Sequence, residues 1–588
     1  LLGLNVCPNN RVIQFIASGG TGKTKLLRHW LNKRENQIDN YLVWSFYSQG
    51  TSDSKQVSAT PLFTEAFKAF GVDASDYNTD EDRADALADL LTEHQCLLVL
   101  DGLEPLQHGG SGFNGQLKDR AMKRLLQRLA QQHSSLCIVT TRIQVHELRD
   151  RAHVISHPLD NLHTDDGLQL LRSLAVRGSD KELQTAVSEV EGHALTLHLL
   201  GNALTTHLGS DIRKRDTLEE LVDDFDEQGR HAFKVMQGYQ HWFTNDNGEP
   251  MAELQLLYLL GLFDHPIEMA VLQILWDKQI PCLTAGLRAK AWKVAVRDLR
   301  DKHRLLSQHG ERPDLLDSHP LIREYFGRQL QQKQPEAWQQ AHEALYHYYK
   351  AIPKDKQPGS VEAMQPLFHA VAHGCAAGLH QQALDEVCYP RIRREHKGYL
   401  AKDLCAVSDD LAVLAHFFSQ PWMVVSENLR AKWQAAVSSW AGYCLGALGR
   451  FGEAVVPVQA SIEMFIKQSR LQDAAQNANN LSELKLNLGF MSDAIIIGER
   501  SVDYADQSGD YGLSMSNRTT YADVLHKAGQ PTKALTLFVE AEKIQKKYLP
   551  GPPLLYSFFG FRYCELILTQ GRTSEVIKRG NQSIRIST

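Results

Sequence analysis

The run Val12-Ile-Gln-Phe-Ile16 and the loop that follows it, Ala17-Ser-Gly-Gly-Thr-Gly-Lys-Thr24, decide the fold of the amino-terminal part of this chain. The apolar run predicts a buried strand, and the residues from Lys23 onward have a helical pattern. A glycine-rich loop between a strand and a helix is typical of phosphate binding, because its backbone N–H groups curl around a phosphate at the helix N-terminus. The sequence therefore predicts a nucleotide site.

The same loop carries the side chains that ATP or ADP and a Mg²⁺ ion require. Lys23 is predicted to reach the β- and γ-phosphates, and the Thr24 hydroxyl to ligate Mg²⁺. The predicted nucleotide-binding residues of the loop are Gly19, Gly20, Thr21, Gly22, Lys23, Thr24 and Lys25. Ala17 stands where the pattern G-x-x-x-x-G-K-[ST] begins with glycine, which is tolerated if that residue needs no positive φ.

Apolar runs alternate with helical patterns up to about residue 157. The further predicted strands are Leu42 to Tyr47, Leu97 to Leu100, Leu136 to Thr140 and Val154 to Ser156. This alternation predicts βαβ units and a parallel sheet. Beyond about Asp160 the strand signal fades and amphipathic helical runs follow, so we expect an α/β nucleotide-binding domain followed by all-helical regions.

Polar residues follow two of these strands. Leu97-Leu-Val-Leu-Asp101-Gly-Leu-Glu104 predicts a Walker B element, with Asp101 in the Mg²⁺ shell and Glu104 positioning or deprotonating the attacking water. Arg142 follows the strand Cys137-Ile-Val-Thr140, and because strand carboxyl ends line the ligand crevice, we expect it to contact the γ-phosphate. The alternatives are an ordinary strand-terminal aspartate, a surface loop carboxylate and a surface arginine in a local ion pair. Lys23, Asp101 and Glu104 are the candidate catalytic residues.

The last 150 residues contain an internal repeat. Leu448-Gly449, Leu488-Gly489, Ala528-Gly529 and Gln570-Gly571 recur at intervals of 40, 40 and 42, and five positions after each glycine stand Ala454, Ala494, Ala534 and Val576. Glycine ends one helix and a small residue lets the next pack closely, which predicts a tetratricopeptide-type solenoid. Such repeats are either a scaffold or a concave surface for a protein or peptide.

Length and composition indicate a multidomain protein and exclude several classes. The 588 residues exceed a single core, and a net charge of −6 gives no general attraction to nucleic acid or anionic membrane. The basic clusters are isolated or mixed with acids, so no nucleic-acid surface is predicted. Nine scattered cysteines without a C-x-x-C pair, no run of about 18 apolar residues and no signal peptide predict a soluble cytoplasmic protein. The chain begins without methionine and ends inside a repeat, so we expect a fragment of a longer polypeptide.

The order of these elements resembles the STAND nucleotide-binding oligomerisation ATPases of the NB-ARC/NACHT kind, particularly bacterial members with a tetratricopeptide-like tail. The resemblance covers most of the chain and includes Gly19 to Thr24, Trp44, Asp101-Gly-Leu-Glu104, Thr140-Thr-Arg142, Gly192-His-Ala-Leu195, Leu259-Leu-Gly-Leu-Phe-Asp-His-Pro266 and Ser318-His-Pro-Leu321. The last element is similar to a Met-His-Asp-Leu motif whose histidine contacts the ADP β-phosphate. The resemblance therefore implies that role for His319, the alternative being a helix-capping or core histidine.

The resemblance implies a domain order and a mechanism. The domains are a nucleotide-binding domain at 1–160, a helical domain at 161–245, a winged-helix-like domain at 246–335, a helical linker at 336–435 and the repeats at 436–588. The implied mechanism is a slow ATPase switch, inactive with ADP and self-associating with ATP, whose repeats sense a ligand and activate an amino-terminal effector in bacterial defence. Two alternatives stay open: a transcriptional regulator that senses a small inducer, and a non-hydrolysing scaffold with structural nucleotide.

Three residues depart from the family pattern. Ala194 replaces a proline that packs near adenine, and Pro320 replaces the aspartate of Met-His-Asp. Gly102 replaces a second aspartate, which makes the Walker B element more like the NACHT form and leaves hydrolysis to Glu104. Outside the motifs, His369 and His373 lie four residues apart, but without further ligands at metal spacing they indicate helix packing or solvent exposure.

Overall fold

A computed structural model of the chain describes residues 11–34, 38–46, 57–73, 77, 79–108, 115–131, 135–221, 230–307, 315–548, 551 and 554–587. The chain separates into two compact units, residues 1–412 and 413–588. Within the described ranges, no helix is both long and apolar enough to cross a membrane.

A five-stranded parallel sheet forms the centre of the amino-terminal domain. Its strands are β1 (Val12–Ile16), β2 (Tyr41–Ser45), β3 (Leu97–Asp101), β4 (Cys137–Thr141) and β5 (Val154–Pro158), in the order β2-β3-β4-β1-β5. The predicted parallel sheet is confirmed, although β2 begins one residue early and the predicted end of that strand, Tyr47, lies outside the described residues. Because β1, β3 and β4 are adjacent and parallel, the loops at their carboxyl ends meet.

Helices cover both faces of the sheet. They are α1 (Lys23–Arg34), α2 (Thr60–Ala69), α3 (Asp80–Glu93) and α4 (Arg120–Gln131). On one face Leu27 and Trp30 of α1 pack with Ile13 and Phe15 of β1. On the other face α2, α3 and α4 bury a larger apolar cluster. Burial of this kind contributes about 25 cal/mol per Å² of apolar surface and makes the sheet a fixed support for its loops.

The second part of the first unit is almost entirely helical. It contains α5 (Thr164–Ser173), α6 (Asp180–Glu189), α7 (Ala194–His207), α8 (Arg230–Trp242), α9 (Ala252–Leu260), α10 (Met269–Asp277), α11 (Ala289–Arg297), α12 (Pro320–Lys333), α13 (Pro335–Ala351), α14 (Val361–Ala376), α15 (His380–Ala383), α16 (Tyr399–Lys402) and α17 (Val407–Ala415). The strands β6 (Ile267–Glu268) and β7 (Leu315–Leu316) pair antiparallel. Gly261 and Gly327 let α9 and α12 cross closely, because a Cβ on Gly261 would lie 2.4 Å from the Gly327 nitrogen.

The second unit is a stack of helix pairs after a short hairpin, β8 (Phe418–Gln420) and β9 (Val424–Val425). The helices are α18 (Ala431–Ala447), α19 (Phe451–Lys467), α20 (Leu471–Asn487), α21 (Met491–Ser508), α22 (Tyr511–Lys527), α23 (Pro531–Tyr548), α24 (Ser557–Thr569) and α25 (Thr573–Ser587). Each repeat glycine has a positive φ, with values of 74°, 81°, 73° and 74° along the chain, and turns one helix into the next. The alanines five positions later are fully buried, and Val576 is half-buried. The predicted fold class, α/β followed by helices and a solenoid, is confirmed.

Candidate functional site

The glycine-rich loop joins β1 to α1 and turns through two left-handed glycines. Gly20 has a φ of +84° and Gly22 a φ of +99°, a conformation that favours glycine. Ala17 does not adopt a positive φ, so its Cβ costs nothing where the usual pattern has glycine. The Thr21 hydroxyl donates to the Ser18 carbonyl at 2.9 Å. The loop is therefore closed on itself, and Thr21 contributes to its shape.

Lys23 is held inside this loop. It is 5% exposed, and its Nζ donates to the carbonyl oxygens of Ala17 at 2.6 Å and Ser18 at 2.9 Å. Burial lowers the pKa of Lys23, an effect that the carboxylate of Glu104 opposes. The ammonium is therefore held against the loop backbone, where a phosphate-binding lysine would lie. Lys25 lies on the exposed side of α1.

Thr24, Asp101 and Thr140 form a hydroxyl–carboxylate–hydroxyl chain across three elements. The Thr24 hydroxyl donates to Asp101 Oδ2 at 2.9 Å, and the Thr140 hydroxyl to Asp101 Oδ1 at 2.6 Å. Burial raises the pKa of Asp101, while the two hydroxyls favour the carboxylate. Thr140 also accepts from the Gly102 nitrogen at 2.8 Å, which fixes the turn after β3.

This donor set fits Mg²⁺, a hard cation that takes a carboxylate and a hydroxyl together with phosphate oxygens and water. The Thr24 hydroxyl and the Asp101 carboxylate are in direct contact beside the loop. The two predicted metal ligands are therefore brought together, and they supply oxygen only.

Glu104 is buried at the start of a 3₁₀ turn directly after β3. It is 1% exposed, and its Oε1 lies 3.9 Å from Lys23 Nζ and 3.8 Å from Arg142 Nε. Burial raises the pKa of Glu104, and the two cations oppose that rise. Glu104 is thus no surface carboxylate, and its protonation depends on its burial as well as on Lys23 and Arg142 beside it.

Arg142 comes from the end of β4 and lies against the loop. A Cβ on Gly19 would be 3.2 Å from Arg142 Nη2, so the guanidinium packs closely against the loop at Gly19. The structure therefore brings Arg142 to the loop backbone as well as to Glu104, at the carboxyl edge of the sheet.

His319 reaches the same place from the segment between β7 and α12. Its Nδ1 accepts from the Leu321 nitrogen at 3.3 Å, so it caps α12. Burial, then the charges of Arg323 and Arg142, lower the pKa of His319 to about 3, with smaller effects from His193 and Lys23. The ring is therefore neutral at physiological pH, and with Nδ1 accepting, the proton resides on Nε2. His319 is both a helix cap and a neighbour of the loop, which the sequence presented as alternatives.

Sequence reasoning missed the contacts of the segment before α7. His193 Nε2 lies 2.7 Å from the Gly19 carbonyl, and the Leu195 nitrogen donates to the Gly20 carbonyl at 3.0 Å. The family resemblance includes Gly192-His-Ala-Leu195, but it implies no contact of this segment with the loop. A contact across 174 residues leaves no periodic signal in the sequence.

The histidines of α14 belong to helix packing in this structure. His373 is buried, and its Nδ1 lies 2.8 Å from Nδ1 of His342 on α13. The His369 ring lies 5.1 Å from the Tyr349 ring. Among the described residues, no group of three His, Cys, Asp or Glu side chains has the arrangement of a metal site.

Several solved structures are similar to this chain at low sequence identity. No family model matches the chain, and no curated protein matches it. A Signal Transduction ATPase with Numerous Domains (STAND) protein with a tetratricopeptide repeat sensor from Pyrococcus horikoshii is similar over 98% of this chain and 81% of its own, at 13% identity and a TM-score of 0.41. A Walker-type ATPase of Pyrococcus abyssi matches 54% of this chain and 91% of its own, at 15% identity and a TM-score of 0.25. The Aeropyrum pernix ORC1 protein, solved with DNA, matches 55% of this chain and 87% of its own, at 16% identity and a TM-score of 0.26.

Proposed function

We propose that this chain is an ATPase switch of the STAND type, inactive with ADP and self-associating with ATP. The observation that carries the proposal is the convergence of side chains from four separate segments on one loop. Lys23 comes from the loop, Asp101 and Glu104 from β3 and the turn after it, Arg142 from the residue after β4 and His319 from the start of α12.

Each of these groups has a role that its position supports. Lys23 exchanges the carbonyls of Ala17 and Ser18 for the β- and γ-phosphate oxygens. Thr24 and Asp101 would hold Mg²⁺, which when bound offsets the negative charge of the phosphates. Glu104 orients and deprotonates the attacking water; burial raises the pKa of Glu104, which makes it a stronger base, and the two cations beside it limit that rise.

His319 distinguishes the ADP-bound from the ATP-bound state as a neutral imidazole that donates a hydrogen bond. Because its Nδ1 caps α12, its Nε2–H is the group that meets the ADP β-phosphate. A hydrogen bond to a charged group contributes about 1.5–3 kcal/mol. Moving a switch from 1:99 to 99:1 needs about 5.5 kcal/mol of differential binding. Interdomain burial and a sensed ligand must therefore supply the remainder.

The repeats provide a surface for that ligand. On α24 and α25 the apolar side chains of Phe558, Phe561, Leu568, Ile577 and Ile584 are each more than half exposed. Exposed apolar patches of this kind mark contact surfaces. We infer a protein or peptide ligand here, and the family resemblance favours a role in bacterial defence.

Nucleotide binding tests the proposal directly. Isothermal titration of ADP and of a non-hydrolysable ATP analogue into the wild-type chain should show uptake of both, and Lys23→Ala should abolish it. His319→Ala should speed ADP release and, with the ATP analogue, raise the molar mass measured by light scattering. A folded wild-type chain that takes up no adenine nucleotide would contradict the proposal.

A non-hydrolysing nucleotide scaffold is the second candidate, favoured by the near-complete burial of Glu104 against two cations. The two candidates differ in turnover. If wild-type protein with bound Mg²⁺–ATP releases no phosphate above the level of Glu104→Gln, the scaffold is the better description.

A further inference from the structure

The phosphate-binding loop is held from outside by the first residues of the segment that leads into α7. His193 approaches the Gly19 carbonyl and Leu195 donates its backbone N–H to the Gly20 carbonyl, at 2.7 and 3.0 Å. The approach is close, since a Cβ on Gly20 would lie 2.7 Å from His193 Cε1. The carbonyl groups of two successive loop residues therefore hydrogen-bond to residues at the N-terminus of one helix.

The hydrogen bonds of His193 determine its tautomer. A carbonyl oxygen only accepts, so Nε2 carries the hydrogen that Gly19 receives. Nδ1 then accepts, from the Thr196 hydroxyl at 2.7 Å and the Thr196 nitrogen at 3.4 Å, and so caps α7. The neutral Nε2–H imidazole satisfies the loop and the helix at once, whereas a doubly protonated ring would lose the cap.

Peptide geometry links these contacts to phosphate binding. In a planar trans peptide the C=O and the N–H of the next residue point in opposite directions. When the Gly19 carbonyl faces His193, the Gly20 N–H faces away from it, into the loop. The Leu195 contact fixes the Gly20 carbonyl and thereby turns the Thr21 N–H the same way. Successive N–H groups aimed at one point form an anion-binding nest.

We infer that His193 and Leu195 are positioning residues, which orient the Gly20 and Thr21 amides for the diphosphate part of a nucleotide. The inference rests on the proposed nucleotide binding and adds a coupling to it. Because binding energies are reciprocal, a diphosphate in the loop must tighten the docking of α7 by the same factor by which docked α7 improves diphosphate affinity. Nucleotide binding is thus coupled directly to the docking of α7, by a route that does not involve His319.

A matched pair of substitutions separates the two functions of the histidine. In His193→Asn the side-chain oxygen replaces Nδ1 as the cap of α7, but the side chain is too short to donate to Gly19. In His193→Gln the amide N–H takes the place of Nε2–H and reaches Gly19, whereas the cap is lost. If His193 only stabilised the fold, ADP affinity would fall in both variants in proportion to the loss of thermal stability of each.

The test is titration of ADP with Mg²⁺ into each full-length variant. The loss of one oriented hydrogen bond, about 1 kcal/mol, predicts about fivefold weaker ADP binding for His193→Asn. His193→Gln should stay within about twofold of wild type, even if its nucleotide-free melting temperature is the lower of the two. Wild-type affinity in His193→Asn, or equal loss in both, would overturn the inference. A wild-type chain that binds no ADP would instead overturn the proposed function, and this inference with it.

A measurement on the unaltered protein covers the case in which a variant does not fold. Hydrogen exchange of the amides from Leu195 to His207 should slow when ADP is added, because the diphosphate tightens the docking of α7. Exchange that ADP leaves unchanged in this segment, while the amides of the loop itself become protected, would refute the coupling.

Discussion

Asp409 gives the sharpest prediction, because a buried carboxylate there joins two distant parts of the first unit. Its Oδ2 accepts from the Thr60 hydroxyl at 2.7 Å and the Ser58 hydroxyl at 3.1 Å, at the start of α2. The residue is 4% exposed. Burial raises the pKa of Asp409 to about 6, an effect that the neighbouring Asp119 reinforces.

The raised pKa makes the stability of this contact depend on pH. An aspartate in an unfolded chain has a pKa of about 3.9, and the difference of about two pH units corresponds to about 3 kcal/mol. The folded state binds the proton more tightly, so its stability is greatest below about pH 4. It falls as the pH rises toward 6 and changes little above that value.

Asp409→Asn should remove this loss. The asparagine carbonyl still accepts from both hydroxyls, but the group carries no charge at any pH. We expect a gain in the free energy of unfolding that is small near pH 4 and approaches about 3 kcal/mol above pH 6. Between pH 5 and pH 7.5 the gain should grow by about 1–1.5 kcal/mol, measured by urea unfolding followed by tryptophan fluorescence.

The control is Asp403→Asn, an exposed aspartate six residues earlier. It should change stability by less than about 0.5 kcal/mol at either pH. An Asp409→Asn variant that is destabilised at pH 7.5, or whose gain is the same at both pH values, would refute the burial argument and show that Asp409 acts as a paired carboxylate.

Three further predictions concern the loop. Asp101→Asn keeps an acceptor for the Thr140 hydroxyl and removes a buried charge, so the melting temperature without nucleotide should stay the same or rise. Its Mg²⁺–ATP affinity in titration should fall about 10- to 100-fold, and a wild-type affinity that does not depend on Mg²⁺ would contradict this. Glu104→Gln should bind ADP within about threefold of wild type and lower phosphate release about 10²- to 10⁴-fold, and an unaltered release rate would remove Glu104 from the chemistry. The new Cβ of Gly20→Ala would be strained by a positive φ and would clash with the His193 ring, whereas that of Gly22→Ala would be strained by a positive φ alone. ADP affinity should therefore fall at least about fivefold further in Gly20→Ala, and equal losses would mean that the His193 contact is unimportant.

Local pattern was sufficient for the framework. The five strands, the loop from Ala17 to Thr24 and the repeat glycines could all be predicted, because each depends on neighbours within about ten residues. Period-two and period-3.6 patterns specify strands and helices, and the regular spacing of the repeat glycines predicts the turns between helices. Asp101 and Arg142 also followed from the sequence, since parallel strands bring their carboxyl ends together.

Only the tertiary structure decided what surrounds that framework. Three contacts join residues that no periodicity relates. Glu104 is buried between Lys23 and Arg142, His193 and Leu195 hydrogen-bond to the loop, and Asp409 contacts the start of α2. Whether a carboxylate or an imidazole is charged depends on the dielectric and the charges around it, which packing sets. The sequence therefore determined the loop and the polar residues at the strand ends, and the fold determined their protonation and brought His193 and Leu195 to them.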